Sequence, residues 1–279
     1  MAENTSAIEG VKETVKTVVY ALLIAGIFRT LFFQPFWIPS GSMKDTLLIG
    51  DFLFVNKMAY GYSYASCPSI RVPAIGLDAE ADDFCGVFKG ADKRFLGSEP
   101  QQGDVVVFRH PVTGRDFIKR LIGTPGDRIQ VKDGLLYIND VAVNVEDDGV
   151  FVEPYGPQGP QDSWPICANG AVGLGADCIK EKSIETLPNG VKHSILNVTN
   201  TAELDNTAVF TVPADHFFFM GDNRDNSTDS RKLQTKGGVG FVAREDIVGR
   251  ADRIMFSSAG RSMLAFWTWR SDRFFKAVE

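Results

Sequence analysis

A stretch of twenty residues near the amino terminus contains a single charged side chain. The stretch covers residues 17–36, its one charge is Arg29, and most of its side chains are aliphatic or aromatic. About twenty apolar residues are enough for a helix to cross the hydrocarbon core of a bilayer, and a long arginine side chain can extend to the interface. We therefore predict a transmembrane helix over Thr17–Phe36, preceded by a short segment 1–16.

A cleavable secretory signal peptide is the alternative interpretation, because such peptides also have a short apolar core. No Ala-x-Ala cleavage site follows this core, which favours a retained anchor. Lys12 and Lys16 precede the apolar stretch, and basic residues mark the cytoplasmic side whereas acidic residues contribute little. We predict a single-pass protein with a cytoplasmic amino terminus and its body on the other side of the membrane.

The composition indicates a folded, turn-rich body and argues against a nucleic-acid surface. Hydrophobic residues make up 44% of the 279 residues, with 27 Gly and 13 Pro, which suits a β-rich body of one or two domains. The net charge is -6, and the 29 Lys and Arg residues are spread along the chain. A nucleic-acid partner is therefore not expected.

Four cysteines lie in two loop-rich stretches. Cys67 and Cys85 are 18 residues apart, and Cys167 and Cys178 are 11 residues apart. No Cys-x-x-Cys or Cys-His spacing suggests zinc, so we predict two local disulfides formed in an oxidising compartment. Four unpaired thiols are the alternative, and the sequence leaves three possible pairings open.

Short strand-like segments separated by turn residues follow the predicted helix. Asp133-Gly134 and Asn139-Asp140 are typical turn pairs between strands. Gly50–Lys57 indicates a turn and a buried core strand that carries no chemistry. The pattern predicts a mainly β fold, with strands at 104–108, 117–122, 128–131, 135–138, 141–145, 209–212 and 217–220.

Changes in composition suggest how the body is divided. The strand pattern breaks between residues 149 and 204, where four prolines lie within residues 154–165, and we interpret 149–204 as an inserted second lobe. Residues 61–101 are predicted as a loop-rich insertion in a catalytic β domain that covers 37–148 and 205–258. The segment 259–279 mixes aromatic and basic residues, as membrane-interface segments do. A terminal helix packed on the core is the alternative for that segment.

Two serines flank a glycine in the segment Pro39–Met43. Gly41 permits a tight backbone conformation. In such a turn, Ser42 can attack a carbonyl carbon while its own backbone N–H and the Ser40 hydroxyl stabilise the oxyanion. The segment is therefore a candidate nucleophile turn.

A serine hydroxyl needs a base to become a good nucleophile, and Lys119 is the candidate base. Strand alternation places Lys119 on the same face as Phe117 and Leu121, and an apolar setting favours the neutral amine that can accept a proton. The histidines lack the surroundings expected of a catalytic triad: these are His110, His193 and His216.

Residues 221–231 form a polar segment that is unlike a strand. A calcium loop starting at Asp225 is one interpretation, but its sixth position is serine instead of glycine and its twelfth is lysine instead of glutamate. We favour a polar network that orients the lysine base and supports the active-site turn, with Asp229 paired to Arg231.

These segments, in this order after an N-terminal anchor, resemble the bacterial type I signal peptidase (leader peptidase) family over nearly the whole catalytic part of the chain. The resemblance implies an antiparallel, barrel-like β body and a serine-lysine endopeptidase that removes N-terminal signal peptides from exported preproteins. The matching strings are Pro39–Leu47 (PSGSMKDTL), Gly50–Tyr60 (GDFLFVNKMAY), Lys119–Ile129 (KRLIGTPGDRI) and Gly221–Arg231 (GDNRDNSTDSR).

The resemblance also implies a role for each matching residue. Ser42 is the nucleophile, Lys119 the general base, and Ser40 the side-chain donor of the oxyanion hole. Ser227 orients the lysine, and the loop around it is supported by Asp229 and Arg231. Six residues resemble the walls of the pockets that select small side chains one and three residues before the cut. These are Ile38, Pro39, Met43, Leu47, Phe117 and Ile118.

The expected partners and location follow from the same resemblance. Signal peptides of secreted preproteins are the substrates, and the lipid bilayer and the secretion translocon are further partners. No metal or organic cofactor is expected. The predicted location is the bacterial inner membrane, with the catalytic domain on the periplasmic side.

Two departures from the family pattern are visible. Asp45 occupies a position where the family usually has proline, and residues 232–236 replace an aromatic-glycine step, which suggests a longer loop. Three other functions stay open: a self-cleaving repressor-type peptidase, a peptidase that processes conjugation or pilus proteins, and a catalytically inactive membrane-anchored binding protein.

Overall fold

The computed structural model describes residues 2–67, 70–72, 76–79, 85–86, 90, 94, 97–170, 172–260 and 262–279. Part of the predicted insertion 61–101 lies outside these residues. Within them the chain forms one α-helix, α1 (Ala2–Leu31), and sixteen strands. The strands are β1 (Phe33–Trp37), β2 (Asp51–Asn56), β3 (Ile70–Val72), β4 (Leu77–Ala79), β5 (Val105–Arg109), β6 (Asp116–Gly123), β7 (Arg128–Lys132), β8 (Leu135–Ile138), β9 (Val141–Ala142), β10 (Asn144–Pro154), β11 (Asp177–Thr186), β12 (Lys192–Asn197), β13 (Phe210–Thr211), β14 (His216–Met220), β15 (Val242–Ala243) and β16 (Ile247–Ser257). Short 3-10 helices lie at Tyr64–Ser66, Glu203–Asp205, Arg224–Asn226, Gln234–Lys236, Arg244–Asp246, Phe266–Thr268 and Ser271–Arg273.

Helix α1 begins before the start of the predicted transmembrane segment and ends before its predicted end. Its section Glu9–Leu31 has 23 residues, is apolar enough to cross a membrane, and is not buried by the rest of the chain. The predicted helix end at Phe36 is corrected, because residues 33–37 form β1 and only Phe32 separates the helix from that strand. Pro35 explains the difference, since proline lacks the N–H of a helical hydrogen bond and favours an extended residue before it.

Seven antiparallel strands form the main sheet, which curls into a half-barrel. Their order is β1-β2-β16-β5-β6-β14-β15. The pairing of β14 with β6 shifts register between Phe218 and Phe219, and such bulges increase the bend and twist of a sheet. The predicted mainly β fold with an antiparallel, barrel-like body is confirmed.

The central strand β5 is buried on both faces. Val105 and Val107 belong to one hydrophobic cluster, and Val106 and Phe108 belong to another on the opposite face. Residues that face each other in antiparallel strands point to the same side, and Val106 is the partner of Lys119. The lysine therefore emerges from a sheet face that is apolar.

A second sheet has the order β13-β7-β8-β9 and contains both predicted tight turns. Asp133 and Gly134 have φ angles of 49° and 77°, and Asn139 and Asp140 have φ angles of 54° and 67°. Two residues with positive φ between paired strands are the signature of a tight hairpin turn that matches the strand twist. The two predicted hairpins are confirmed.

A third sheet, with the order β10-β11-β12, occupies the region that the sequence marked as irregular. It begins at Asn144, inside the range predicted for the catalytic domain, because β10 is a single strand of 11 residues. The disulfide Cys167–Cys178 closes the loop before β11, and Cys67–Cys85 is the second disulfide. The predicted pairing into two local disulfides is confirmed, and the alternative of four unpaired thiols is excluded.

The carboxyl-terminal segment pairs with the end of β16 through bridges of Ala277 with Arg253 and of Trp269 with Ser258, and its described residues form no α-helix. Arg273 is buried and binds both carboxylate oxygens of Asp51, at 2.9 and 2.6 Å. Phe266 and Trp267 are 69% and 75% exposed. The described residues therefore do not form the terminal helix that was the alternative for this segment. The proposed interface role of its aromatic residues stays a prediction.

Candidate active site

Ser42 and Lys119 lie in contact, although 77 residues separate them in the chain. Ser42 belongs to the turn after β1, and Lys119 lies in β6. The Nζ atom of Lys119 is 2.8 Å from Ser42 Oγ and donates to the backbone oxygen of Ile118 at 2.9 Å. Both side chains are buried, with 7% of Ser42 and 4% of Lys119 exposed. The pair has the geometry required for proton transfer from a hydroxyl to an amine.

The surroundings of Lys119 favour the neutral amine. Burial lowers the pKa of Lys119 from 10.5 to about 8, although the carboxylates of Asp229 and Asp222 act in the opposite direction. The ring of Phe117 lies near the amine, with 5.5 Å between Nζ and the ring centroid. With a pKa near 8, about a tenth of the lysine is neutral at pH 7. A proton acceptor is therefore available near neutral pH.

The backbone of the Ser42 turn is fixed from two sides. The Gly50 N–H donates to the Ile38 oxygen at 2.9 Å, which ties the start of the turn to its end. Asn223 donates its backbone N–H to the Ser42 oxygen at 3.1 Å and its side-chain amide to the Gly41 oxygen at 2.9 Å. These bonds place residue 223 of the polar segment directly against the nucleophile turn.

The predicted ion pair of the polar segment is present. Arg231 donates from Nε and Nη2 to the two carboxylate oxygens of Asp229, both at 2.9 Å. The Gly221 N–H also donates to Asp229 at 3.1 Å, and Arg231 donates to the Arg224 backbone oxygen at 2.6 Å. Because its oxygens accept the bonds from Arg231 and Gly221, the Asp229 carboxylate braces the segment internally.

Ser227 lies in the active-site region but has no hydrogen bond to Lys119. The residue is buried, and its side chain packs against Gly221. A Cβ atom added at Gly221 would lie 2.2 Å from Ser227 Oγ and 2.6 Å from the Ser42 oxygen. Ser227 and the nucleophile turn are therefore neighbours across Gly221, and the orienting role expected for Ser227 stays a prediction.

An ion pair that sequence reasoning missed lies one residue after the lysine. Arg120 is 1% exposed and binds both oxygens of Asp222, at 2.9 and 2.8 Å. Burial by itself would raise the pKa of Asp222, but the Arg120 guanidinium holds it below its ordinary value. Thr46 donates to the same carboxylate at 2.5 Å. The sequence shows that Arg120 directly follows Lys119, which could have marked it as part of the site. Its partner Asp222 could not be identified in this way, because it lies 102 residues away.

A second missed ion pair joins the polar segment to the third sheet. Arg224 donates to both oxygens of Glu185 in β11, at 3.0 and 2.7 Å, and His193 of β12 lies 3.2 Å from the same carboxylate. Burial alone would raise the pKa of Glu185, but Arg224 and His193 lower it to about 2. Residue 224 directly follows Asn223, so this pair also supports the nucleophile turn.

The predicted site residues surround an open cleft of about 390 Å³. Six of them line it: Pro39, Ser40, Ser42, Phe117, Ile118 and Lys119. Seven further lining residues were not predicted as site residues: Phe36, Trp37, Arg115, Asp116, Gln161, Asn226 and Thr228. The structure places three predicted pocket residues elsewhere, in the hydrophobic cluster beside the cleft: Ile38, Met43 and Leu47. Their aliphatic bulk supports the turn that carries Ser42.

Sequence comparison identifies the family to which this arrangement belongs. A family model described as signal peptidase, peptidase S26, matches residues 11–256. The chain belongs to the S26 signal peptidase family. The matched range of this S26 chain includes both the Ser42 turn and Lys119. Membership makes the chain a peptidase, and the exposed apolar part of α1 fits a membrane anchor.

Relatives of this S26 chain match it over most of their length. The signal peptidase I of Rickettsia typhi is 36% identical over 265 residues, which are 92% of this chain and 84% of that protein. The signal peptidase I of Rickettsia massiliae is 37% identical over 248 residues, covering 86% and 77% of the two chains. A crystal structure of a signal peptidase I from Enterococcus faecalis covers 55% of this chain and 97% of that one, at 24% identity and a TM-score of 0.28. The family assignment rests on the sequence matches.

Proposed function

We propose that the chain is a membrane-bound endopeptidase that removes signal peptides from exported preproteins with Ser42 as nucleophile and Lys119 as general base. The observation that carries this proposal is the 2.8 Å contact between Lys119 Nζ and Ser42 Oγ in a buried setting. The names of the relatives support the substrate class. A serine whose base is a desolvated lysine is an established form of nucleophilic catalysis.

In the first step, the lone pair of neutral Lys119 accepts the proton of the Ser42 hydroxyl. The oxygen of Ser42 then bonds to the carbonyl carbon of the last signal-peptide residue, and the carbonyl electron pair moves to oxygen. Collapse of this tetrahedral intermediate breaks the C–N bond, and the lysine ammonium gives its proton to the leaving amine. The mature protein departs while the signal peptide stays as an ester on Ser42.

The developing oxyanion needs donors beside the nucleophile. The backbone N–H of Ser42 and the hydroxyl of Ser40, which lines the cleft, are the donors in this proposal. Because Asn223 fixes the turn through the oxygens of Gly41 and Ser42, these donors are held in place before the substrate binds. Such preorganised donors stabilise the transition state without further reorganisation.

Water completes the cycle at the same lysine. After the amine leaves, Lys119 is neutral again and accepts a proton from a water molecule that attacks the ester carbon. The ester C–O bond breaks, Ser42 recovers its proton from the lysine, and the signal peptide is released as a carboxylic acid that then ionises to solvent. Each proton that Lys119 removes from an attacking group is passed to a leaving group, so these reaction steps need no other acid or base.

Selection of small side chains one and three residues before the cut is assigned to the cleft beside Ser42. Pro39, Phe117 and Ile118 line it directly, whereas Ile38, Met43 and Leu47 support it from the core. Bulky substrate side chains would have to displace these packed groups, which is costly in a close-packed interior. The proposal therefore predicts alanine-sized residues at both positions.

The proposed arrangement in the cell follows from the anchor. Helix α1 crosses the inner membrane once with the amino terminus in the cytoplasm, so the cleft faces the periplasmic side. There the enzyme meets preproteins that leave the translocon. In this proposal residues 37–143 and 205–258 form the catalytic domain, 144–204 the second lobe with the whole of β10, and 259–279 the interface segment.

Cleavage of a purified preprotein tests the proposal. The wild-type chain, Ser42→Ala and Lys119→Ala are compared in detergent on a preprotein with alanine one and three residues before the cut. We expect the wild type to cut after the alanine and both folded variants to be inactive. Cutting by Lys119→Ala would contradict the base assignment. Cutting of an unrelated preprotein in trans excludes the self-cleaving alternative, and profiling with pilus-type substrates separates the other peptidase.

A further inference from the structure

A buried polar cluster lies against the turn that carries Ser42. Lys44, two residues after the nucleophile, is 4% exposed, and its backbone N–H donates to the Gly41 oxygen at 3.2 Å. Its aliphatic chain also passes close to Gly41, where an added Cβ atom would lie 3.2 Å from Lys44 Cε. The main chain and side chain of Lys44 therefore both pack against the residue that precedes Ser42.

The partners of the Lys44 ammonium all come from the region of the third sheet. Its Nζ atom donates to the Glu153 carboxylate of β10, and to Gln158 Oε1 at 2.8 Å. Gln158 donates in turn to Glu153 at 2.7 Å. Lys180 of β11, which is 0% exposed, donates to the second oxygen of Glu153. Two buried cations thus share one carboxylate.

The energetics make Glu153 the centre of this cluster. Burial lowers the pKa of Lys44, and the Glu153 carboxylate counteracts that effect. Burial would likewise raise the pKa of Glu153, but Lys44, Gln158 and Lys180 hold it below its ordinary value. A buried ammonium that loses its counter-ion is strongly unfavourable. The position of Lys44 therefore depends on an ionised Glu153.

The same cluster is joined to one wall of the substrate cleft. Gln158 and Ser163 exchange two backbone hydrogen bonds, each 3.0 Å long, across a short loop. Gln161 lies in that loop and lines the cleft together with Ser42. A change at Glu153 thus reaches the nucleophile turn through Lys44 and the cleft wall through Gln158.

We propose that Glu153 is a positioning residue that holds the nucleophile turn through Lys44, so that the third sheet sets the turnover rate of the Ser42–Lys119 pair. This inference rests on the proposed function, because turnover is measured on the Ser42 reaction. Small displacements of a reacting group lower the rate steeply. The sheet β10-β12 is then part of the catalytic architecture, although none of its strands supplies a reacting atom.

Steady-state kinetics on a preprotein test the proposal with charge-specific variants. Glu153→Gln keeps the shape but removes the charge, and we expect kcat to fall about tenfold while KM changes by less than about twofold. Glu153→Asp keeps the charge and is expected to retain at least about a third of kcat. The matched control is Glu181→Gln, an exposed residue on the adjacent strand β11, which should leave kcat unchanged.

A double-mutant cycle separates positioning from a loss of folded protein. Lys44→Met removes the other end of the pair and leaves Glu153 with Lys180, so it should fold even where Glu153→Gln does not. We expect Lys44→Met to lower kcat by about the same factor, and the double variant to be no slower than the slower single variant. Equal kcat in Glu153→Gln and wild type would overturn the proposal, as would fully additive effects.

A structural readout keeps this proposal distinct from the proposed function. A wild-type chain that cuts no preprotein would contradict the function alone. In that case crystal structures of the wild type and a folded variant, Glu153→Gln or Lys44→Met, decide the positioning role. We expect the Lys119 Nζ to Ser42 Oγ distance to exceed hydrogen-bonding range in the variant. An unchanged distance would overturn the proposal.

Discussion

Arg120 of β6 and Asp222 of the polar segment form a two-pronged ion pair, with both side chains 1% exposed. The pair joins β6 to the polar segment, and Asp222 also accepts a bond from Thr46 on the far side of the nucleophile turn. Arg120 donates further to the Gly103 oxygen at 2.7 Å. One buried contact thus connects the strand of the base, the polar segment and the turn of the nucleophile.

Removing the charge of Asp222 should destabilise the chain. Asp222→Asn takes the two-pronged carboxylate partner away from the buried Arg120 guanidinium, and we expect a loss of about 3–5 kcal/mol in unfolding free energy. Urea unfolding in detergent measures this loss. The matched control is Asp140→Asn, because the Arg128–Asp140 pair has side chains that are 51% and 62% exposed. That substitution should cost less than about 1 kcal/mol, and equal losses in the two variants would contradict the argument.

The rate should depend on the ionisation of Lys119. Its pKa is lowered to about 8 by burial, and only the neutral amine can take the Ser42 proton. We therefore expect kcat/KM to rise with increasing pH and to level off above about pH 8. A pH series on the preprotein substrate measures the profile. A rate that falls over the same interval would identify a different base.

Burial of Lys119 should also reduce the stability of the fold. A pKa lowered from 10.5 to about 8 corresponds to about 3 kcal/mol of unfolding free energy lost below pH 8. Between the two pKa values the unfolded chain binds more protons than the folded one, so wild-type stability rises with pH in that window. We expect Lys119→Met to be inactive yet to unfold at a higher temperature than wild type at pH 7.

Calorimetry at several pH values checks the sign of this effect. The stability difference between Lys119→Met and wild type should be largest below about pH 8 and should shrink toward pH 10. A difference that grows with pH would show that the lysine is not the group responsible. The same comparison illustrates that a functional group can be retained at a cost in stability.

The space at Gly221 leaves no room for a side chain. A Cβ atom there would lie 2.2 Å from Ser227 Oγ and 2.6 Å from the Ser42 oxygen, so the nucleophile turn must move. We expect Gly221→Ala to lower kcat/KM by at least about a hundredfold, because a displacement of the nucleophile by about 1 Å can reduce the rate by that factor. Gly173→Ala is the control, since nothing lies within 4 Å of its added Cβ atom. Comparable activity of the two variants would contradict the steric argument.

Local patterns predicted much of the body. The pairs Asp133-Gly134 and Asn139-Asp140 fixed two hairpins because few residues adopt positive φ angles, and period-two alternation placed Lys119 beside Phe117 and Leu121 in one apolar cluster. The spacing of the cysteines suggested local disulfides. Each of these signals spans at most 18 residues of the chain, or depends only on alternation along a strand.

Other features could not be predicted because they depend on contacts distant in sequence. The strands β10 and β11 contain charged residues that would suggest exposure, yet Glu153, Lys180 and Glu185 are buried because each finds an oppositely charged partner. The end of α1 did not depend on distant contacts, because Pro35 is visible in the sequence. The helix was predicted past this proline because the apolar run continues to Phe36. Ile38 and its neighbours were assigned to a pocket wall because their motif does not reveal which side of the turn is the core.

The direct passage from α1 into β1 limits where the enzyme can act. Only Phe32 lies between them, its backbone oxygen accepts a bond from the Lys57 N–H at 3.0 Å, and its ring lies 5.4 Å from that of Phe28. The five residues of β1 span about 17 Å, and Ser42 follows five residues later. If α1 spans the bilayer as proposed, the absence of a linker between α1 and β1 holds the cleft at a fixed distance from the membrane, and only peptide bonds close to the bilayer surface come within range. Selection by distance from the membrane would then act before any side chain of the substrate is recognised.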